Sequence, residues 1–129
     1  MKLLLDTHIL LWLVGTPQAL SPKARTLIAD VENDLFFSPI SIFEVAIKSA
    51  KGRSDFLADA SELQQTLLLH EIIELPLLST HAVRVSELPP LHSDPFDRLL
   101  LAQALEEQMF LLTVDSALTK YSTNVLDAR

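Results

Sequence analysis

The sequence predicts an α/β fold of three layers: a central parallel sheet of four to five strands, flanked by helices. Three observations lead there. Short apolar runs alternate with longer stretches of helical periodicity, the pattern that builds strand-helix-strand units. The clearest runs, "KLLLD" at 2–6 and "FLLTV" at 110–114, are almost continuously apolar, as strands covered on both faces are. The chain has 129 residues, 49% of them hydrophobic and 21% charged, so it carries too much apolar material for disorder and enough for one well-filled core. A single domain over residues 1–129 is expected.

Taken in order, "KLLLD" is the first strand, and an apolar helix follows from Thr7 to about Val14, stopped by Gly15 and Pro17. "SPKARTLIADVEN" opens with a Ser21 cap and Pro22, then places Ala24, Leu27, Ile28 and Val31 on one buried stripe. "LFF" at 35–37 is a short strand, and Ser38-Pro39 opens a helix that closes in "KSAKG" with basic residues and Gly52. "DASELQQTLLLHE" reads as a helix, "IIEL" at 72–75 as a strand and "STHAVRVSEL" as a helix. The connector "LPPLHS" at 88–93 delivers the chain to Asp94, and "DPFDRLLLAQAL" forms the next helix. After the strand at 110–114, Asp115 starts a short helix, and "NVLDA" adds an edge strand.

Composition excludes several function classes. With no cysteine, there is neither a disulfide framework nor a zinc-cysteine site, which suits a cytoplasmic protein. The opening "MKLLLDTHILLWLVG" is interrupted by Asp6 and His8 and is too short to span a bilayer, so it belongs to the core and no membrane association is expected. A formal charge of -7 argues against broad attraction to polyanions and favours cations or a basic partner. Gly15 and Gly52 are the only glycines, which rules out the glycine-rich phosphate loops of nucleotide-binding folds. His8, His70, His81 and His92 show no short metal-ligand spacing.

Four acids carry the chemistry. Asp6 and Asp115 follow the first strand and the strand at 110–114, Asp97 lies in the first turn of its helix, and Glu44 lies near the start of the helix after "LFF". Each has a local explanation: Asp6 and Asp115 as helix caps, Asp97 as first-turn negative charge, and Glu44 as the partner of Ser41 in a capping box. Together they point further. Ligand sites in open parallel sheets gather beyond the carboxyl ends of the strands. Acids crowded there raise one another's pKa unless cations neutralise them. An all-oxygen ligand set selects a hard divalent ion, Mg²⁺ or Mn²⁺, the arrangement used for phosphodiester hydrolysis.

"LLLDTHILLW", "SPISIFEVAIKSAKGR", "DPFDRLLLAQAL" and "LLTVDSAL" occur in the order and spacing of PIN-domain ribonucleases, and the chain most resembles the VapC-like toxins of bacterial toxin–antitoxin systems. The resemblance spans nearly the whole chain. It implies a PIN fold whose acidic quartet maps onto Asp6, Glu44, Asp97 and Asp115 as catalytic and metal-binding residues. Asp94, one turn earlier, serves as a cap or accessory acid. The resemblance further implies a metal-dependent endoribonuclease cleaving a structured RNA such as a transfer RNA, a homodimer, and a cognate antitoxin that silences the site.

Other residues have weaker claims. Thr7 and Thr113 are placed to hydrogen-bond a carboxylate or bound water, and capping or strand propensity explains them equally well. Ser38 is a phosphate contact or a simple helix start. Arg98 is placed for a phosphate or a neighbouring carboxylate, with the salt bridge favoured. Lys48, Lys51 and Arg53 either flank an RNA path or complement a helix C-terminus. Trp12, Phe36, Phe37 and Phe43 fall in apolar runs and read as core or dimer contacts rather than base-stacking platforms. Aspartyl phosphotransfer fits poorly, since Asp6-Thr7-His8 lacks the second aspartate. The alternative of a different class is a non-catalytic module that binds an antitoxin or RNA.

Overall fold

The structure is a computed structural model that describes residues 1–50, 59–90, 93–121 and 123–129. Lys51, Gly52, Arg53 and His92, named above, lie outside the described residues. The strands are β1 (Lys2–Leu5), β2 (Asp34–Phe37), β3 (Ile73–Glu74), β4 (Phe110–Thr113) and β5 (Val125–Asp127). The helices are α1 (Thr7–Gly15), α2 (Pro22–Ala29), α3 (Pro39–Ala50), α4 (Ala60–Leu69), α5 (Ser79–Val85) and α6 (Pro95–Glu106). Short 3₁₀ turns occupy Pro17–Ala19 and Leu118–Lys120.

All five strands are parallel, in the order β3-β2-β1-β4-β5. β1 therefore lies at the centre, and the chain first winds to one side of it and then to the other. The crevice where that winding reverses lies between the carboxyl ends of β1 and β4, the place where such sheets hold their ligands. In that pair Leu5 stands opposite Leu112, and the next backbone amide, of Asp6, donates to the Leu112 carbonyl at 3.1 Å.

The pleat of β1 divides the interior. Leu3 and Leu5 join Ile9, Leu10, Ala24, Phe37, Val45, Leu63, Leu67 and Leu112 on one face. Leu4 joins Ile40, Leu100, Leu101, Ala104, Leu111 and Leu118 on the other. Strands buried on both faces need apolar residues at consecutive positions, which is why β1 and β4 show no polar alternation. α3 supplies Val45 to the first cluster and Ile40 to the second, so it closes the sheet across the carboxyl edge.

Several local expectations change. "IIEL" pairs as a strand only at Ile73–Glu74, because the Ile72 amide still closes the end of α4 by donating to the Leu67 carbonyl at 3.0 Å. Glu71 and Gln108 adopt left-handed φ of 60° and 57° just past α4 and α6, the helix-ending conformation usually given to glycine. α5 stops at Val85. The Asp115 helix is a turn in which the Ala117 amide donates to Asp115 Oδ1, with the 3₁₀ segment beginning at Leu118.

Candidate active site

Asp6 ends β1 and caps α1. Its Oδ1 accepts the Ile9 amide at 3.0 Å, and its Oδ2 accepts the Thr113 hydroxyl from the end of β4. The capping expectation is thus met, but it uses only part of the carboxylate, and the residue is buried at 4% exposure. Burial pushes the Asp6 carboxyl above its ordinary value, and the negative charge of Glu44 adds to the rise. The Thr113 hydroxyl, the Ile9 amide and the charge of His8 act in the opposite direction.

Glu44 comes from the second turn of α3 and is also buried. The capping box is not formed. Helix α3 already starts at Pro39, Ser38 Oγ accepts the Ile40 amide at 3.1 Å, and Ser41 lies inside the helix. Glu44 Oε1 instead accepts the Thr7 hydroxyl at 2.7 Å, with Ser41 Oγ at 3.0 Å from the same hydroxyl. Glu44 Oε2 is held by Lys48, one helical turn further on.

Thr113 joins the third acid. Its Oγ1 accepts the Asp115 amide at 3.0 Å while donating to Asp6, so one buried hydroxyl orders the backbone at Asp115 and the carboxylate of Asp6. Asp97 is half-buried in the first turn of α6. That turn meets α3 through its neighbour Phe96, whose ring lies 5.7 Å from Lys48 Nζ and 6.0 Å, edge-on, from Phe43. Asp94 Oδ1 accepts the Phe96 amide at 2.9 Å, the expected cap.

The site thus consists of two hydrogen-bonded groups at the carboxyl edge, Asp6 with Thr113 and the Asp115 backbone, and Thr7 with Ser41, Glu44 and Lys48, which meet at the adjacent residues Asp6 and Thr7. Among the described residues, no three carboxylate or imidazole side chains stand close enough together to hold a metal ion. The donor chemistry nevertheless suits a hard cation: the donors are all oxygen, and the buried Asp6 carboxyl is disfavoured as an anion until a positive charge joins it.

Ser41 and Lys48 are the residues that sequence reasoning missed. The Thr7-Ser41-Glu44 contact joins residues 34 and 37 positions apart, and no local pattern announces it. Lys48 does carry a signal, an i,i+4 Glu-Lys pair, which the expectations of an RNA path or a helix-end charge leave unused. Arg98 turns its guanidinium to the Val85 and Pro89 carbonyls at 3.3 and 3.2 Å, fastening the end of α5 to α6. Phe43, expected in the core or a dimer contact, is 54% exposed in this chain, while Phe37 is fully buried.

A doubly wound parallel sheet with acids beyond its strand ends belongs to the open α/β class, whose ligand sites lie at the reversal point. The family model for the PIN domain matches residues 3–124, and the chain belongs to the PIN-domain family. Ribonuclease VapC22 of Mycobacterium tuberculosis is 31% identical over 120 residues, covering 92% of this chain and 90% of that protein. Among solved structures, VapBC2 from Rickettsia felis bound to a promoter DNA fragment superposes with a TM-score of 0.69 at 15% identity, covering 98% of this chain and 96% of that one. DNA-bound VapBC from Salmonella typhimurium also gives 0.69, at 13% identity, covering 100% of this chain and 99% of that one. At such identities these two establish the fold.

Proposed function

We propose that this protein is a VapC-type endoribonuclease toxin, dependent on Mg²⁺ or Mn²⁺ and silenced by a cognate antitoxin. The ribonuclease reading is supported by the PIN-domain match and the VapC22 relative, and the antitoxin partner by the likeness to VapBC complexes. The observation that carries the site is the buried Asp6 carboxylate at the sheet's reversal point, tied through Thr113 to Asp115 and facing the charge of Glu44. Asp6, Glu44, Asp97 and Asp115 would hold the cation. When bound, it supplies an activated water and neutralises charge on the phosphate and the leaving oxygen.

The chain's own residues do the positioning. Thr113 fixes one oxygen of Asp6 and the backbone at Asp115, while Thr7 fixes one oxygen of Glu44. The Ile9 amide and α1 hold the other Asp6 oxygen at the helix N-terminus, where negative charge is favoured. Asp94 sets the start of α6 and with it the placement of Asp97. We assign the protein to the cytoplasm, with a homodimer as its assembly and a structured RNA such as a transfer RNA as its substrate.

The non-catalytic alternative draws on one observation, that three acids are not gathered among the described residues. Calorimetric titration with Mn²⁺ separates the two readings. The wild-type protein binds Mn²⁺ at its acid site, and Asp6→Asn, Glu44→Gln, Asp97→Asn and Asp115→Asn each weaken binding. Binding that none of the four substitutions alters would reject the assignment.

A further inference from the structure

Both Glu44 carboxylate oxygens already have a partner. The residue is 3% exposed, Thr7 donates to Oε1 at 2.7 Å, and Lys48 occupies Oε2. The Lys48 side chain is itself only 15% exposed, running under the Phe96 ring at 5.7 Å. An ion pair so enclosed is screened less than a surface pair and holds its partner more firmly. This protein therefore presents one of its expected ligands already paired with a positive charge.

We propose that Lys48 is a tethered counter-ion for Glu44 that competes with the divalent cation for Oε2 and so weakens the hold of Glu44 on the metal. The inference rests on the proposed acid site and adds a positioning residue to it. Its physical basis is simple. Asp6 and Glu44 repel each other across the metal-free site, and burial makes that repulsion costly. An ammonium on Glu44 removes the repulsion while the site waits, and the metal-free fold is stabilised at the expense of metal affinity. When Lys48 is displaced, its ammonium remains near the first turn of α6, where a polyanionic substrate would meet it.

The test is calorimetric titration of the RNA-free, full-length protein with Mn²⁺, using wild type, Lys48→Met, Glu44→Gln and the double variant. Methionine keeps most of the side chain's length and apolar contact while removing the charge. Lys48→Met is expected to bind Mn²⁺ more tightly, by several-fold to about tenfold, and to melt at a lower temperature than wild type in EDTA. The tightening should disappear in the Glu44→Gln background, because the competition acts through that carboxylate. Unchanged or weaker binding by Lys48→Met overturns the proposal. So does equal tightening in both backgrounds, which would reveal only the general effect of removing a positive charge. If wild type binds Mn²⁺ and Lys48→Met fails these expectations, Lys48 alone is misassigned. If neither protein binds Mn²⁺, the metal site itself is refuted and the Lys48 role with it. Should Lys48→Met not fold, Lys48→Gln gives the same comparison.

Discussion

Replacing Thr113 by valine tests whether one hydroxyl organises the site. Thr113 is fully buried, donates to Asp6 Oδ2 and accepts the Asp115 amide at 3.0 Å. Valine has nearly the same shape, so the change removes the hydroxyl without opening a large cavity. Losing the hydrogen bond to the Asp6 carboxyl costs about 1.5 to 3 kcal/mol, and losing the one from the Asp115 amide about 0.5 to 1.5 kcal/mol more. Burying a methyl in its place returns up to about 0.8 kcal/mol. The net loss is therefore about 1 to 4 kcal/mol, and for a domain of this length that lowers Tm by roughly 4 to 15 °C. The assay is thermal melting at pH 7 in EDTA for wild type, Thr113→Val, Asp6→Asn and the double variant, with RNA cleavage measured alongside. If the hydroxyl acts on the ionised carboxylate, valine costs less when residue 6 is asparagine, and Thr113→Val cleaves RNA poorly. Equal cost in both backgrounds together with full cleavage by Thr113→Val would refute the reasoning.

Further expectations follow from the same geometry. Because burial raises the Asp6 pKa, the folded state holds that proton more tightly than the unfolded chain; its contribution is complete below the ordinary 3.8 and is lost as pH rises through the folded value. Asp6→Asn retains the acceptor for the Ile9 amide, so metal-free melts should show its Tm rising relative to wild type between pH 4 and pH 8. A constant difference would contradict the burial argument. Gln108→Gly relieves a left-handed backbone at φ 57° and should stabilise the protein by up to about 1 kcal/mol in urea unfolding. Gln103 is fully buried, its Oε1 accepts no hydrogen bond from the described residues, and its Nε2 reaches the Pro76 carbonyl only at 3.5 Å. Gln103→Met should therefore be neutral or stabilising in the same unfolding assay.

What the sequence made legible were features carried by neighbouring residues. The unbroken apolar runs of β1 and β4 announced a two-sided parallel sheet, and Ser21-Pro22 and Asp94-Pro95 marked helix starts that the structure places at Pro22 and Pro95. The edge strand in "NVLDA" formed at Val125–Asp127. The site acids stood out because strand ends are where a parallel sheet puts its ligands. What remained hidden depends on tertiary contact. Ser41-x-x-Glu44 imitates a capping box, yet Ser38 and Pro39 start α3 three residues earlier, which turns Glu44 inward toward Thr7. Phe43 sits in an apolar run, but its exposure is decided by the face of α3 that the sheet leaves uncovered.

The central claim is that the acids at the carboxyl edge make this chain a metal-dependent ribonuclease. The most direct measurement is cleavage of total cellular RNA by purified, antitoxin-free protein with Mg²⁺ or Mn²⁺, beside an EDTA control and the Asp97→Asn variant. The account predicts discrete RNA fragments with either cation and none with EDTA or Asp97→Asn. Folded wild-type protein that leaves RNA intact, or cleavage that survives both EDTA and Asp97→Asn, would contradict it.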